Sequence, residues 1–437
     1  MSAIKEKAIH IIERLRRSPL FKDSMWSLIG STVGRGLSLI AGILVARFLG
    51  KDIYGEYGII KTTLIYIEIF STFGLGYTAT KYIADYKKTN PGKVSAVCKA
   101  ALKITLFTSG LMALVVLVFA KQIAEIIDAP HLYNTLRITA AGIIVNAINV
   151  AQIGILSGFA EFKVIAKNTT ISGIVTFVLT ATLTYIWGLN GAVIALVLSY
   201  GTQCLINNIS VRALVKQYEK PKGSQRELYK ELVSFSFPIA LQESLYSITS
   251  WVISFMLIKL SGYGELGLYS AAGQWAAIIS FIPGILRNVT LSHLSSNMTN
   301  QTAHDTTMKA MLLVNILSTA VMFLGIVLFQ NLICSFYGET FVGLKPVLLV
   351  LTFNTICSNA SNVYVQEFMA QGKNWFVFVC KILRDIGTLS FTYLVLVSGH
   401  DRGALILSVS TCIANVLFTL ILSVRYYIQR KSAVVER

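Results

Sequence analysis

Residues 31–50 read STVGRGLSLIAGILVARFLG, an apolar, glycine-studded stretch that carries one buried-looking charge, Arg35, twelve residues beyond Asp23. A run of this length and character matches an α-helix crossing hydrocarbon, which needs about 20 mostly apolar residues. Arg35 then lies about twelve residues into the span, roughly 18 Å deep at about 1.5 Å per residue. An arginine at that depth costs about 2.5–3.5 kcal/mol on insertion scales, so something must compensate it. Ser27, Ser31, Ser38 and Gly42 share its helical face. A small, polar stripe of that kind lines either a helix contact or a wet cavity.

The rest of the chain repeats the apolar signal. Of 437 residues 54% are hydrophobic and 14% charged, where a soluble domain carries about a quarter charged residues. Mean hydropathy is +0.65. Windows such as ALKITLFTSGLMALVVLVFA (101–120) and MLLVNILSTAVMFLGIVLF (311–329) recur along the whole length. They predict twelve spans, at 24–47, 56–81, 104–120, 136–158, 164–187, 191–211, 233–258, 266–290, 310–330, 345–367, 375–398 and 403–424. No stretch is left over for a soluble domain.

The net charge of +17 has its place in this scheme. With both termini cytoplasmic, 26 Lys and Arg fall on the inner side and 7 on the outer, span-edge residues being counted with their loops. That asymmetry is the positive-inside signature, and it removes nucleic acid as the explanation of the charge. Residues 1–23 place Ile4, Ala8, Ile11, Ile12 and Leu15 on one face with mostly basic residues elsewhere, the pattern of a helix lying on an anionic leaflet. No small-residue cleavage site follows, which disfavours a signal peptide. The six cysteines are scattered singly, so they read as small hydrophobes.

An internal repeat divides the chain. LGKDIYGEYG (49–58) aligns with SGYGELGLYS (261–270) at an offset of 212, pairing Gly50 with Gly262 and Gly55 with Gly267; GAVI (191–194) meets GALI (403–406) at the same offset. Six spans per repeat keep the two halves in one orientation, related by an axis along the membrane normal. The expected fold is therefore all-α and polytopic, with two six-helix lobes around a central cavity. The expected domains are an interfacial helix (1–23), a first lobe (24–215), a cytoplasmic linker (216–231), a second lobe (232–424) and a cytoplasmic tail (425–437).

Several chemistries are excluded. There is no GxxxxGK[ST] and no HExxH, so neither a P-loop ATPase nor a zincin is present, and no cofactor is expected. A membrane-embedded glycan polymerase or ligase would require large outer loops, and the short outer loops make it the weaker alternative. The candidate groups are the span-embedded charges. Arg35, Arg287, Lys381 and Arg384 are candidate substrate-binding cations. Lys381 and Asp385, four apart, can pair with each other, while Arg384 and Asp385 point apart. Glu68, Glu243 and Asp385 are candidate carriers of H⁺ or Na⁺, or counter-ions; Glu243 stands at the depth of Arg35 in the other half. A weakly cationic interior suits a phosphate-bearing substrate, which arginine grips bidentately.

The motifs ARFLGKDIYGEYG (46–58), FGLGYTATKYIADY (73–86) and GILSGFAEFKVIAK (154–167) carry a family resemblance. Over its whole length the chain resembles the polysaccharide-exporting branch of the multidrug/oligosaccharidyl-lipid/polysaccharide exporter superfamily, and most of all bacterial O-antigen repeat-unit flippases. The resemblance implies alternating access in the bacterial inner membrane, with undecaprenyl-pyrophosphate-linked oligosaccharides as substrate and the glycan polymerase machinery as a partner. Related flippases of lipid-linked peptidoglycan precursors use first-helix arginines, comparable to Arg35, but typically have two further C-terminal helices. Multidrug exporters of the superfamily often have a first-helix acid, absent here, which weighs against the alternative of an ion-coupled drug or metabolite antiporter.

Overall fold

The computed structural model describes residues 19–218, 226–284, 286, 290, 294, 301–399 and 401–435, with side chains in the first helix from residue 32 onward. The interfacial helix expected at the start of the chain, Arg287 and the side chain of Glu243 lie outside the described residues. What is described is helical almost throughout. The elements are α1 (Pro19–Thr72), α2 (Leu75–Thr89), α3 (Pro91–Ile126), α4 (Tyr133–Gly158), α5 (Phe162–Val215), α6 (Arg226–Ser261), α7 (Tyr263–Ile279), α8 (Gln301–Tyr337), α9 (Leu344–Ala370), α10 (Asn374–Val397) and α11 (Gly403–Val435).

Two of these elements are helical hairpins. α1 breaks at Gly50 (φ 72°, ψ 168°) and α5 at Gly188 (φ 56°, ψ −132°). Backbone at positive φ is cheap for glycine, so each break turns the chain within a residue. Counted through these breaks, the helices supply the twelve spans. Among the described residues, six elements are long and apolar enough to cross a membrane by length and composition alone. Their outward faces support the assignment. Phe107, Leu111, Leu114 and Val118 form an exposed stripe on α3, and Leu313, Leu317, Val321, Leu324 and Leu328 another on α8. Exposed apolar stripes of this size at helical spacing face lipid. The chain is a polytopic, all-α membrane protein.

The helices gather into two compact units. One comprises Met1–Ala41 and Ile59–Val252, the other Gly42–Gly58 and Ile253–Arg437. In the first, Ala79, Ile83, Val97, Ala101, Ile155, Leu156 and Leu232 are buried together, and the helices close on small residues. A Cβ on Gly154 would overlap the Gly76 carbonyl, and one on Gly173 would meet the Gly34 backbone at 2.9 Å. In the second, Met308, Val363, Phe368, Val377, Phe418, Leu422 and Tyr426 form the core.

The sequence repeat reappears as geometry inside the second unit. Gly262, partner of Gly50 in the alignment, shares its backbone conformation (φ 87°, ψ 173°). Gly55 packs on the carbonyl of Tyr263, and Gly267 packs on the carbonyl of Lys51. Since 263 is 51 plus the repeat offset, the two contacts are one contact related by a local twofold. The glycines let the backbones touch, as small residues do in membrane helix crossings.

Candidate functional site

In the first unit the second span is interrupted. Phe73 (φ 50°) and Gly74 (φ 67°) stand in left-handed conformations between α1 and α2. The sequence reading ran through this point without a break. Beside it is a cavity of about 370 Å³, lined by Glu68, Thr72, Gly74, Tyr77, Thr80 and Ser157 among others. The wall is held by Thr80, whose hydroxyl lies 3.0 Å from the Gly76 carbonyl and 2.9 Å from that of Gly154. Because Gly154 has no side chain, α4 approaches α2 closely enough for that bond.

Glu68 lies beside Asn146, from which an amide chain runs across three spans. Asn149 Nδ2 reaches Asn146 Oδ1 at 3.5 Å, Asn207 Nδ2 donates to Asn149 Oδ1 at 2.7 Å, and Asn168 Nδ2 donates to Asn207 Oδ1 at 2.8 Å. Asn168 also bonds Ser210 at 3.1 Å. Buried amides need partners, and here each supplies the next.

Arg35 occupies the middle of its helix, sixteen residues from Pro19 and fifteen from Gly50. Its neighbour Gly34 makes the helix contact, against Thr169 and Gly173 of α5. Arg35 and Ser38 are exposed. Of the two alternatives for the polar stripe, Gly34 takes the helix contact and the arginine is left on the open face. An accessible guanidinium at mid-span requires water, because lipid there is costly.

In the second unit Arg384 does not stand apart from Asp385. Its Nε and Nη2 lie 2.8 and 2.7 Å from Asp385 Oδ1, and Nη1 donates to Asn415 Oδ1 at 3.3 Å. The guanidinium stacks 5.2 Å over the Phe418 ring. This corrects the expectation that Arg384 and Asp385 point apart. Adjacent residues diverge by about 100° around a helix, but an arginine side chain is long enough to curl back across that angle. Asn415 continues to Asn354 Oδ1 at 2.9 Å. Lys381 is half-buried on the same helix.

A further buried polar contact escaped the sequence reading. His304 Nε2 lies 2.8 Å from Glu367 Oε2, with side chains 4% and 2% exposed. Gln371 donates to the other carboxylate oxygen at 2.6 Å. Polar residues at span ends are too common to single these out. The asparagines were better signalled, since Asn146, Asn149, Asn168 and Asn207 all interrupt apolar windows.

Comparison with known proteins places this architecture. A family model described as polysaccharide biosynthesis protein matches residues 20–286. The chain belongs to that family. It is 22% identical over 403 residues to the EPS I polysaccharide export inner membrane protein EpsE of Ralstonia solanacearum, covering 90% of this chain and 91% of that one. It is 25% identical over 277 residues to the succinoglycan biosynthesis transport protein ExoT of Rhizobium meliloti (strain 1021), covering 60% of this chain and 51% of that relative. Among solved structures, an inward-facing multidrug resistance MATE family transporter of the MOP superfamily aligns with TM-score 0.78 at 17% identity, over 93% of this chain and 96% of the other. The lipid II flippase MurJ, in an inward closed conformation, aligns with TM-score 0.73 at 15% identity, over 92% and 87%. The fold is that of these transporters.

Proposed function

We propose that the chain is a flippase of the bacterial inner membrane. It turns undecaprenyl-pyrophosphate-linked oligosaccharide repeat units from the cytoplasmic to the outer face, for assembly of O-antigen, capsule or exopolysaccharide. Its polysaccharide-exporting relatives support the substrate class, and the basic loops support cytoplasmic termini. The observation that carries the reading is Arg35, a mid-span guanidinium on an open helix face beside a glycine that does the packing.

The physical problem is the pyrophosphate. Ionised groups cannot cross hydrocarbon bare, at a Born cost of tens of kcal/mol. A fixed guanidinium at mid-depth lowers that barrier with charge-assisted, bidentate hydrogen bonds, while the polyprenyl chain stays in lipid. Arg35 is the principal cation of this scheme. Arg384 already spends its donors on Asp385 and Asn415, so it contributes less. With no ATPase motif in the sequence, the driving force is an H⁺ or Na⁺ gradient or removal of product, with Glu68, Glu243 and Asp385 as the available acids.

The test is transbilayer movement of a labelled polyprenyl-pyrophosphate oligosaccharide, taken from the host's own pool, in proteoliposomes with and without a pH gradient. The intact protein moves the lipid; Arg35→Ala, folded to the same thermal midpoint, slows it at least about 100-fold, the loss expected for about 2.7 kcal/mol of charge stabilisation. Equal movement by both would reduce Arg35 to a structural cation. If the intact protein does not move the lipid, the flippase reading fails and drug or metabolite antiport replaces it.

A further inference from the structure

We propose that the cavity between the end of α1, α2 and α4 is a subsite for a pyranose ring of the transported glycan. The proposal rests on the flippase reading and gives that reading a place where sugars are recognised. The first argument is the lining. Glu68, Thr72, Thr80, Ser157 and Tyr77 line one space, whose remaining walls are apolar. Tyr77 is 62% exposed, unusually open for so large a ring. A pyranose offers hydroxyls that both donate and accept, and C–H faces that lie against an aromatic ring. A carboxylate, hydroxyls and one accessible ring are the complementary set.

Charge separates this site from the rest of the substrate. No cation is among the described lining residues, so the space offers a pyrophosphate no charge partner. The polyprenyl chain needs no polar partners and gains nothing from Glu68, Thr72, Thr80 and Ser157. The two anionic phosphates therefore belong at Arg35, and the neutral, hydroxyl-rich part of the substrate belongs here. An organic cation would also be drawn to Glu68, but such sites enclose the charge with several rings, and Tyr77 is the one aromatic side chain among the described lining residues.

The second argument is rigidity. Selectivity between similar sugars requires polar groups held in fixed directions. Asn146, beside Glu68, is bonded by Asn149, and Asn149 by Asn207, so the wall behind Glu68 is a bonded chain. Thr80 bonds two backbone carbonyls, which pins α2 to α4 on the opposite wall. The volume of about 370 Å³ is at the lower end of small-molecule sites, about 300–1,000 Å³. It admits a sugar or two and excludes a long repeat unit, so one part of the glycan is read while the remainder lies outside.

The full chain in phospholipid nanodiscs tests this by saturation-transfer NMR. The probe is the free oligosaccharide released by mild acid from the host's polyprenyl-linked pool. Tyr77→Ala removes the ring and Ser157→Leu fills the space, so a folding failure in one leaves the other; Tyr77→Phe keeps the ring. The oligosaccharide signal is expected from the intact chain and from Tyr77→Phe, and binding weakens at least about tenfold, the equivalent of about 1.4 kcal/mol, in the other two. The same variants are run in the flipping assay. Normal flipping with unchanged oligosaccharide binding in Tyr77→Ala and Ser157→Leu overturns the subsite and leaves the flippase standing. Variant-sensitive binding with no lipid movement by the intact chain upholds a sugar site and sinks the flippase. Tetraphenylphosphonium binding that Glu68→Gln abolishes, with no oligosaccharide signal, overturns the proposal in favour of a cation site.

Discussion

Replacing Gly55 by alanine tests the repeat and the packing together. On helix propensity alone the change should help, since alanine is favoured over glycine by about 1 kcal/mol in a helix interior. The structure predicts the opposite sign. The new methyl would overlap the carbonyl of Tyr263 and sit 3.2 Å from the Gly267 nitrogen. Both are backbone atoms, so no rotamer change relieves them and the two helices must separate. Overpacking costs about 1–3 kcal/mol; taking the upper half of that range and subtracting the propensity gain leaves a net loss of about 1–2 kcal/mol. Gly267→Ala meets the Lys51 carbonyl and lies 3.3 Å from the Gly55 nitrogen, so its loss should be the same. The double variant should cost less than the two singles together, by at least about 0.5 kcal/mol, because the first methyl has already opened the crossing for the second. Gly273→Ala is the control: it is on α7 too, and a methyl there meets nothing within 4 Å. Denaturant unfolding in detergent micelles supplies the four values and the control. Singles that behave like Gly273→Ala, or strict additivity in the double, would refute the reasoning.

Two other predictions concern buried polar contacts. His304→Ala takes one of two partners from the buried Glu367 side chain and leaves Gln371, and should cost about 1–3 kcal/mol, whereas His304→Leu with Glu367→Met should cost less, since no buried acceptor is left behind; the same unfolding assay decides, and an equal loss in both would refute it. Asn207→Leu deprives Asn149 and Asn168 of their shared partner and should cost about 2–4 kcal/mol, the sum of about 1–3 kcal/mol for each stranded amide after partial rescue by Ser210. Ser210→Ala removes one partner of Asn168 and leaves the other, so it should cost less than about 1 kcal/mol. A ranking of Ser210→Ala above Asn207→Leu would contradict the chain of bonds.

The spans were legible because hydrocarbon thickness acts on the sequence directly. Residues 164–187 become the first half of α5, which ends at the Gly188 break, and 345–367 become α9, Leu344–Ala370. The last span, expected at 403–424, runs on to Val435, because polarity ends the hydrocarbon crossing without ending the helix. The pairing of Gly50 with Gly262 was legible because a positive φ selects glycine in both copies. The break after Thr72 was not. It places Phe73 at φ 50°, a conformation that no side chain advertises, and STFGLGY reads as uninterrupted apolar helix. The cavity beside that break was missed for the same reason. Polar partners were also hidden, because a window along one helix carries no record of the residue that faces it from another.

The two units solve one packing problem with different chemistry, which bears on where the positive charge is available. In the first, an asparagine of the fourth span, one of the sixth and one of the fifth are joined as Asn149, Asn207 and Asn168. In the second, the tenth, twelfth and eleventh spans supply Asn354, Asn415 and Arg384 in the same order. The first chain thus ends on an amide, Asn168, and the second on a guanidinium, Arg384, although the two do not meet at the repeat offset of 212. A cation there cannot stand alone, since an uncompensated cation among apolar helices is costly. Asp385, next in sequence, supplies the counter-charge through two bonds. Arg384 and Asp385 together are therefore a locally neutral pair. Arg35 stands outside these two amide networks, exposed at mid-span, which is the position the proposed phosphate-binding role requires.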